Sequence, residues 1–200
     1  MSLTWANSSS TWLPRYPKTS KLNVIYNMEH RLAFALCALS LNMLVGYYVS
    51  FRRNVRENDP IYDIGFRILP NLSKYDWLSD LALIIPVIGV LLSWGSWSNN
   101  KQHSMLVLLG LMYTFRAIVN YVTTYPSMKK CELKPPFGFC NDFMFSGHTS
   151  FNLVTAYHLG GIFWPAWPIF GSLLSIATHE HYSADVVMAW VVFVALRCNT

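Results

Sequence analysis

The sequence predicts an all-α, polytopic membrane protein with six transmembrane helices. Hydrophobic residues make up 53% of the 200-residue chain and charged residues only 12%, against roughly 25% charge in an ordinary soluble domain. Residues 32–51 and 81–100 carry no charge, and about 20 such residues suffice to cross a hydrocarbon core of about 30 Å. Residues 143–178 contain no acidic or basic side chain other than histidine.

The elements follow in chain order. Residues 1–30 are polar, with prolines at 14 and 17, and read as a tail; residues 31–200 read as the six-helix membrane domain. The start of the chain lacks the apolar stretch of a cleavable signal peptide, so the first helix, 32–51, is expected to act as its own signal. A polar segment with breakers at Asp59-Pro60 and Leu69-Pro70 leads to a second helix at 77–97. The third, 104–125, carries Arg116 and stops at Pro126. A loop, 127–141, holds Cys131 and Cys140. Trp164-Pro165-Ala166-Trp167-Pro168 then divides the long apolar run into helices four and five, in a composition that suits the membrane interface. The sixth helix reaches spanning length only if it runs from about 179 to 197.

The net charge of +5 excludes little by itself. The basic residues sit in short connecting segments without aromatic interleaving, which favours lipid headgroups over nucleic acid.

Two motifs lie within this apolar sequence: Ser146-Gly147-His148 at the start of helix four, and His181-Tyr182-Ser183-Ala184-Asp185 at the start of helix six. Ionisable groups at membrane depth are expensive and call for a chemical reason. Six crossings place both motifs on one membrane face. A spacing of four lets the Asp185 carboxylate accept a hydrogen bond from the His181 ring, leaving the other ring nitrogen to act as nucleophile on phosphorus. His148 suits the general acid and base. Ser146, Gly147 and the N–H groups that start helix four suit an anion, and Arg116 offers a planar fork for phosphate, or else merely reaches the headgroups. Asp142 either caps helix four or takes part in the chemistry. Tyr125 and Tyr182, with Tyr121 and Phe143, would line a headgroup site or belong to an interfacial belt.

The residues from Cys140 through Asp142 and Ser146-Gly147-His148 to Thr149, together with His181-Tyr182-Ser183-Ala184-Asp185-Val186 and Arg116 with Tyr121-Val122-Thr123-Thr124-Tyr125-Pro126, resemble the sphingomyelin synthase family of the PAP2-like lipid phosphatase and phosphotransferase superfamily. Pro60-Ile61-Tyr62-Asp63 resembles that family's Pro-Leu-Pro-Asp element more loosely. The resemblance implies a PAP2-like bundle and a metal-independent His148, His181 and Asp185 triad with no cofactor. It further implies transfer of a phospho-headgroup, phosphocholine first, from a membrane phospholipid donor to ceramide as acceptor, releasing diacylglycerol. A lipid phosphate phosphatase and an inactive membrane scaffold are the alternatives, and a homo-oligomer stays open. The chain departs from the family block at Asn141 and Ser183, which bears on headgroup and acceptor choice.

Placement in the Golgi, endoplasmic reticulum or plasma membrane, with cytosolic termini and a lumenal or exoplasmic site, also follows from the resemblance. The distribution of Lys and Arg leans the other way by two charges, six on the side of the termini and eight on the side of the motifs. Cys131 and Cys140 pair if their face is lumenal, or remain free thiols.

Overall fold

The computed structural model describes residues 21–51, 61–123, 125 and 143–198, without the side chains of residues 21–27. The loop cysteines, Asp142, Asp59-Pro60 and the first 20 residues lie outside the described residues. Among those described, the chain forms seven α-helices and no strand: α1 (Lys21–Ser50), α2 (Ile64–Ile68), α3 (Trp77–Ser93), α4 (Asn99–Val122), α5 (Gly147–Leu159), α6 (Ala166–Ala177) and α7 (Ser183–Cys198).

The all-helical expectation holds, with adjustments at several ends. α1 begins at Lys21, well before residue 32, and α4 begins at Asn99 because the Ser98 hydroxyl accepts from the Lys101 backbone N–H and caps it. Short α2 was not anticipated. It exists because the Asp63 carboxylate caps it through Gly65 N–H, and a five-residue helix leaves little periodic signal. Among the described residues, three helices are long and apolar enough to cross a membrane: Met28–Ser50, Trp77–Ser96 and Asn99–Val122. α5, α6 and α7 have 13, 12 and 16 residues, or about 18–24 Å at 1.5 Å per residue. The apolar run that promised two full spans is spent partly on the turn before Gly147, on the Trp-Pro break and on the turn after Ala177.

Side-chain pairings fix the helix directions. Along α1 and α4, Phe34 meets Gly110, Asn42 meets Arg116 and Tyr48 stacks on Tyr121, so these two run parallel. A Cβ at Gly110 would lie 2.5 Å from the Phe34 ring, so glycine there allows the close approach. Tyr113 and Ser104 of α4 meet Gly147 and His158 of α5 in reverse order. α3 runs with α5: His148 pairs with Asp80 at one end and Leu159 covers Gly89 further along.

α5 lies at the centre, against α3, α4, α6 and α7. Met112, Phe145, Leu153, Val154, Ala189 and Phe193 form the heart of the apolar core. Two indole N–H groups tie helices together across the bundle. Pro86 lacks the N–H that would bond the Ala82 carbonyl four residues earlier, and the Trp167 indole N–H donates to that carbonyl at 3.0 Å, joining α6 to α3. The Trp190 indole joins α7 to α6 through the Ser172 hydroxyl at 3.0 Å. The ends of α1, α4 and α6 and the starts of α3, α5 and α7 therefore share one face, where both motifs lie.

Candidate active site

The first motif is held by capping. Ser146 is fully buried, and its hydroxyl accepts from Thr149 N–H at 3.1 Å as the N-cap of α5. Its own N–H donates to the Asp185 carbonyl at 3.2 Å, which ties the start of α5 to the start of α7. Met144, just before the cap, has φ of 147°, a conformation that L-residues rarely hold without support. The structure thus gives Ser146, expected among the phosphate contacts, the work of shaping the turn that presents His148.

Arg116 braces the same turn. Its Nε donates to the Phe145 carbonyl at 3.0 Å, and Nη1 donates to Asn42 Oδ1 of α1. Gly147 lies against the guanidinium, where a Cβ would sit 3.1 Å from Nε and 3.3 Å from Cζ. Any larger residue would push the guanidinium aside by a few tenths of an ångström. Arg116→Ala is expected to remove two charge-assisted hydrogen bonds within the bundle and cost about 3 kcal/mol of stability. Thermal unfolding in detergent measures it. Arg116→Lys, which keeps the charge but loses the fork, is expected to recover only part.

The second motif forms at the junction of α6 and α7. His181 precedes α7 instead of lying on it, contrary to the expected start near residue 179. The reason is a reciprocal cap: Tyr182 N–H donates to Asp185 Oδ2 at 3.1 Å, and Asp185 N–H donates to the Tyr182 carbonyl at 3.1 Å, so α7 starts after Tyr182. The expected ring contact is present, with His181 Nδ1 3.2 Å from Asp185 Oδ2. These two side chains are 8% and 0% exposed. Burial strengthens a satisfied pair and penalises an unsatisfied one.

The two motifs converge. The His148 and His181 rings lie 6.1 Å apart between centroids, inclined at 60°. The His148 side chain is more open, at 22% exposure, and its Nε2 lies 2.9 Å from Asp80 Oδ1 and 3.8 Å from Glu180 Oε2. Asp80, on the first turn of α3, was not singled out in the sequence, where a lone acid at the start of an apolar run looks like an interfacial charge. Asp80, His148 and Glu180 each bring a donor atom within 4.8 Å of the others, a set able in chemistry to hold a cation. Its geometry is equally that of two carboxylates orienting an imidazole.

Rings surround the second motif. Phe143 faces both His181 and Tyr182 edge-on at 6.0 and 5.9 Å, Tyr125 meets Tyr182 at 5.8 Å, and Phe66 packs on His179 at 4.4 Å and on Tyr182 at 5.5 Å. Burial raises the Tyr182 phenol above the ordinary tyrosine range, opposed by a hydrogen bond with the Ile61 backbone. Tyr182 thus stays neutral at physiological pH. Of the residues expected at the site, His148, His181, Asp185, Ser146, Gly147, Tyr125 and Tyr182 are brought together; Arg116 stands behind the first motif, and Asp142 lies outside the described residues.

The fold and this arrangement define a helical integral membrane protein with paired imidazoles, one backed by a buried carboxylate, at one end of the bundle. Residues 139–198, which span both motifs, match the family model for the PAP2 superfamily C-terminal region. The chain is 26% identical over 178 residues to phosphatidylinositol:ceramide inositolphosphotransferase 3 of Arabidopsis thaliana, a match covering 68% of this chain and 61% of the relative. The chain thus spans less than two thirds of that relative's length. Over residues 139–198 the chain is thus similar to the PAP2 superfamily C-terminal region, and more widely to a ceramide inositolphosphotransferase.

Proposed function

We propose that the protein is a phosphosphingolipid synthase, transferring a phospho-headgroup from a glycerophospholipid to ceramide through a phosphohistidine. The observation that carries this reading is the 6.1 Å separation of the His148 and His181 rings with Asp185 on Nδ1 of His181. That contact leaves Nε2 of His181 as the attacking atom, and the gap between rings accommodates one phosphoryl group with reacting atoms about 3–3.5 Å apart.

In the first step His181 Nε2 forms a bond to phosphorus, the bond from phosphorus to the diacylglycerol oxygen breaks, and His148 gives that oxygen its proton. In the second, the primary hydroxyl of ceramide attacks phosphorus, its proton passes to His148, and the phosphorus–nitrogen bond breaks. Asp185 holds the His181 tautomer and stabilises the positive charge that develops on the ring. Backbone N–H groups at the start of α5 face the transferring oxygens, and Arg116 adds positive charge behind them. Asp80 orients His148. Asp80→Asn is expected to lower kcat about fivefold, since a largely exposed charge pair contributes at most about 1 kcal/mol; steady-state kinetics checks it.

Asp80 and Glu180 complement the ammonium of a choline or ethanolamine headgroup, which supports phosphocholine. The relative's name supports inositol phosphate. Purified protein given labelled phosphatidylcholine, phosphatidylethanolamine or phosphatidylinositol is expected to make a labelled sphingolipid only when ceramide is present. Release of water-soluble phosphate or phospho-headgroup at the same rate without ceramide would overturn the transferase reading in favour of a phosphatase. The family resemblance supports a site on the lumenal or exoplasmic side, with the termini cytosolic. Asn71, exposed in an Asn-Leu-Ser sequon on the site's face, is where glycosylation mapping would test that orientation.

A further inference from the structure

We infer that Asp63 is a positioning residue for the His181 nucleophile, acting by capping two helices with one carboxylate. Asp63 sits in the segment after α1 with extended backbone. Its Oδ1 accepts from Gly65 N–H at 2.7 Å, which starts α2. The same Oδ1 accepts from the Ser183 hydroxyl at 2.7 Å, and Oδ2 accepts from Ser183 N–H at 2.7 Å. Ser183 is the first residue of α7, two after His181 and two before Asp185. A carboxylate at this point is also favoured by the positive end of the α7 dipole.

The turn that carries His181 has a particular need for such an anchor. On its α6 side it is pinned by backbone bonds, Glu180 and His181 N–H donating to the Ser175 carbonyl at 3.1 and 3.3 Å. His179 within it holds φ of 57°, a left-handed conformation that costs energy for a non-glycine residue. On the α7 side, the Ser183 backbone and hydroxyl N-terminal donors both go to Asp63, which is 120 residues distant in sequence.

The segment around Asp63 is itself fixed. Leu72 N–H donates to the Ala177 carbonyl at 2.8 Å, and the Phe66 ring covers His179 and Tyr182. Gly65 completes the fit, because a Cβ there would overlap the Ser183 hydroxyl oxygen. The first extramembrane segment thus docks on the junction of α6 and α7 at three places, and the Asp63 bonds are the ones that reach the residue between His181 and Asp185. Releasing them lets the start of α7 shift, and the His181 ring with it, while the donor lipid still binds between the helices.

The role in catalysis rests on the phosphohistidine reading above, whereas the clamp itself does not. Asp63→Asn keeps one acceptor oxygen and the side-chain volume but loses the second acceptor. It is expected to lower kcat about 10- to 100-fold, the range that a displacement of about 1 Å produces, with KM for the donor changed less than about twofold. Ser183→Thr keeps the hydroxyl donor and is expected to retain turnover. Ser183→Ala is expected to lose part of it, and Asp63→Asn with Ser183→Ala to lose less than the product of the two single effects.

Hydrogen exchange of the wild type and Asp63→Asn in detergent supplies a readout independent of activity: faster exchange across residues 178–186, with exchange in α4 unchanged, supports the clamp. Unchanged exchange across 178–186, or a loss that appears wholly in KM, overturns the inference. Should the wild type form no phosphohistidine, the proposed function fails, and the exchange measurement still decides the clamp.

Discussion

His181→Ala is expected to abolish headgroup transfer, lowering turnover by at least about 10⁴-fold, the scale on which enzymes lose rate when a nucleophile acting within a unit is removed. The wild type mixed with labelled donor and no ceramide is expected to hold label on protein, in a linkage that survives alkali and is lost in acid, as a phosphorus–nitrogen bond requires. His181→Ala is expected to hold none. Asp185 is 0% exposed and takes Tyr182 N–H as well as the ring, so the carboxylate keeps one partner when the imidazole is deleted, at the cost burial sets on losing the other. An unfolded variant would be revealed by loss of the α7 helix signal. A folded variant that still transfers the headgroup at the wild-type rate would eliminate His181 as the nucleophile.

His181 and Asp185 are four apart, and Ser146-Gly147-His148 is contiguous, so their chemistry is local and legible. Their meeting depends on α5 and α7 both starting at one face, which the count of apolar segments conveys through alternation of direction. Helix ends were less legible where the residues that set them are caps whose partners are distant or reciprocal: Asp63 for α7, and Asp185 for α7 itself.

Arg116 was visible as a charge within an apolar helix. Its partners were not, since Asn42 and Phe145 lie 74 and 29 residues away and neither has a local pattern to betray it. Asp80 was missed for a related reason: its proximity to His148 arises from α3 packing parallel to α5, across 68 residues of chain. Such contacts are properties of packing, and a sequence records them only where a motif happens to include both partners.

His148→Ala is expected to separate the two chemical steps. General acid and base assistance is worth about 10²- to 10⁴-fold, and the 22% exposure of the His148 side chain allows solvent to replace part of it, so a loss near about 10³-fold is expected with natural donor and ceramide. With a donor whose leaving group needs no proton, such as a nitrophenyl ester of the same phospho-headgroup, His181 should still be phosphorylated at nearly the wild-type rate. Ceramide must still lose a proton as it attacks, so the labelled phosphoprotein should accumulate and decay slowly in the variant while the wild type clears it. The contrast with His181→Ala, which forms no labelled protein from either donor, assigns the two rings to different tasks. If His148→Ala is impaired equally with both donors and accumulates no label, His148 serves binding or structure and not proton transfer.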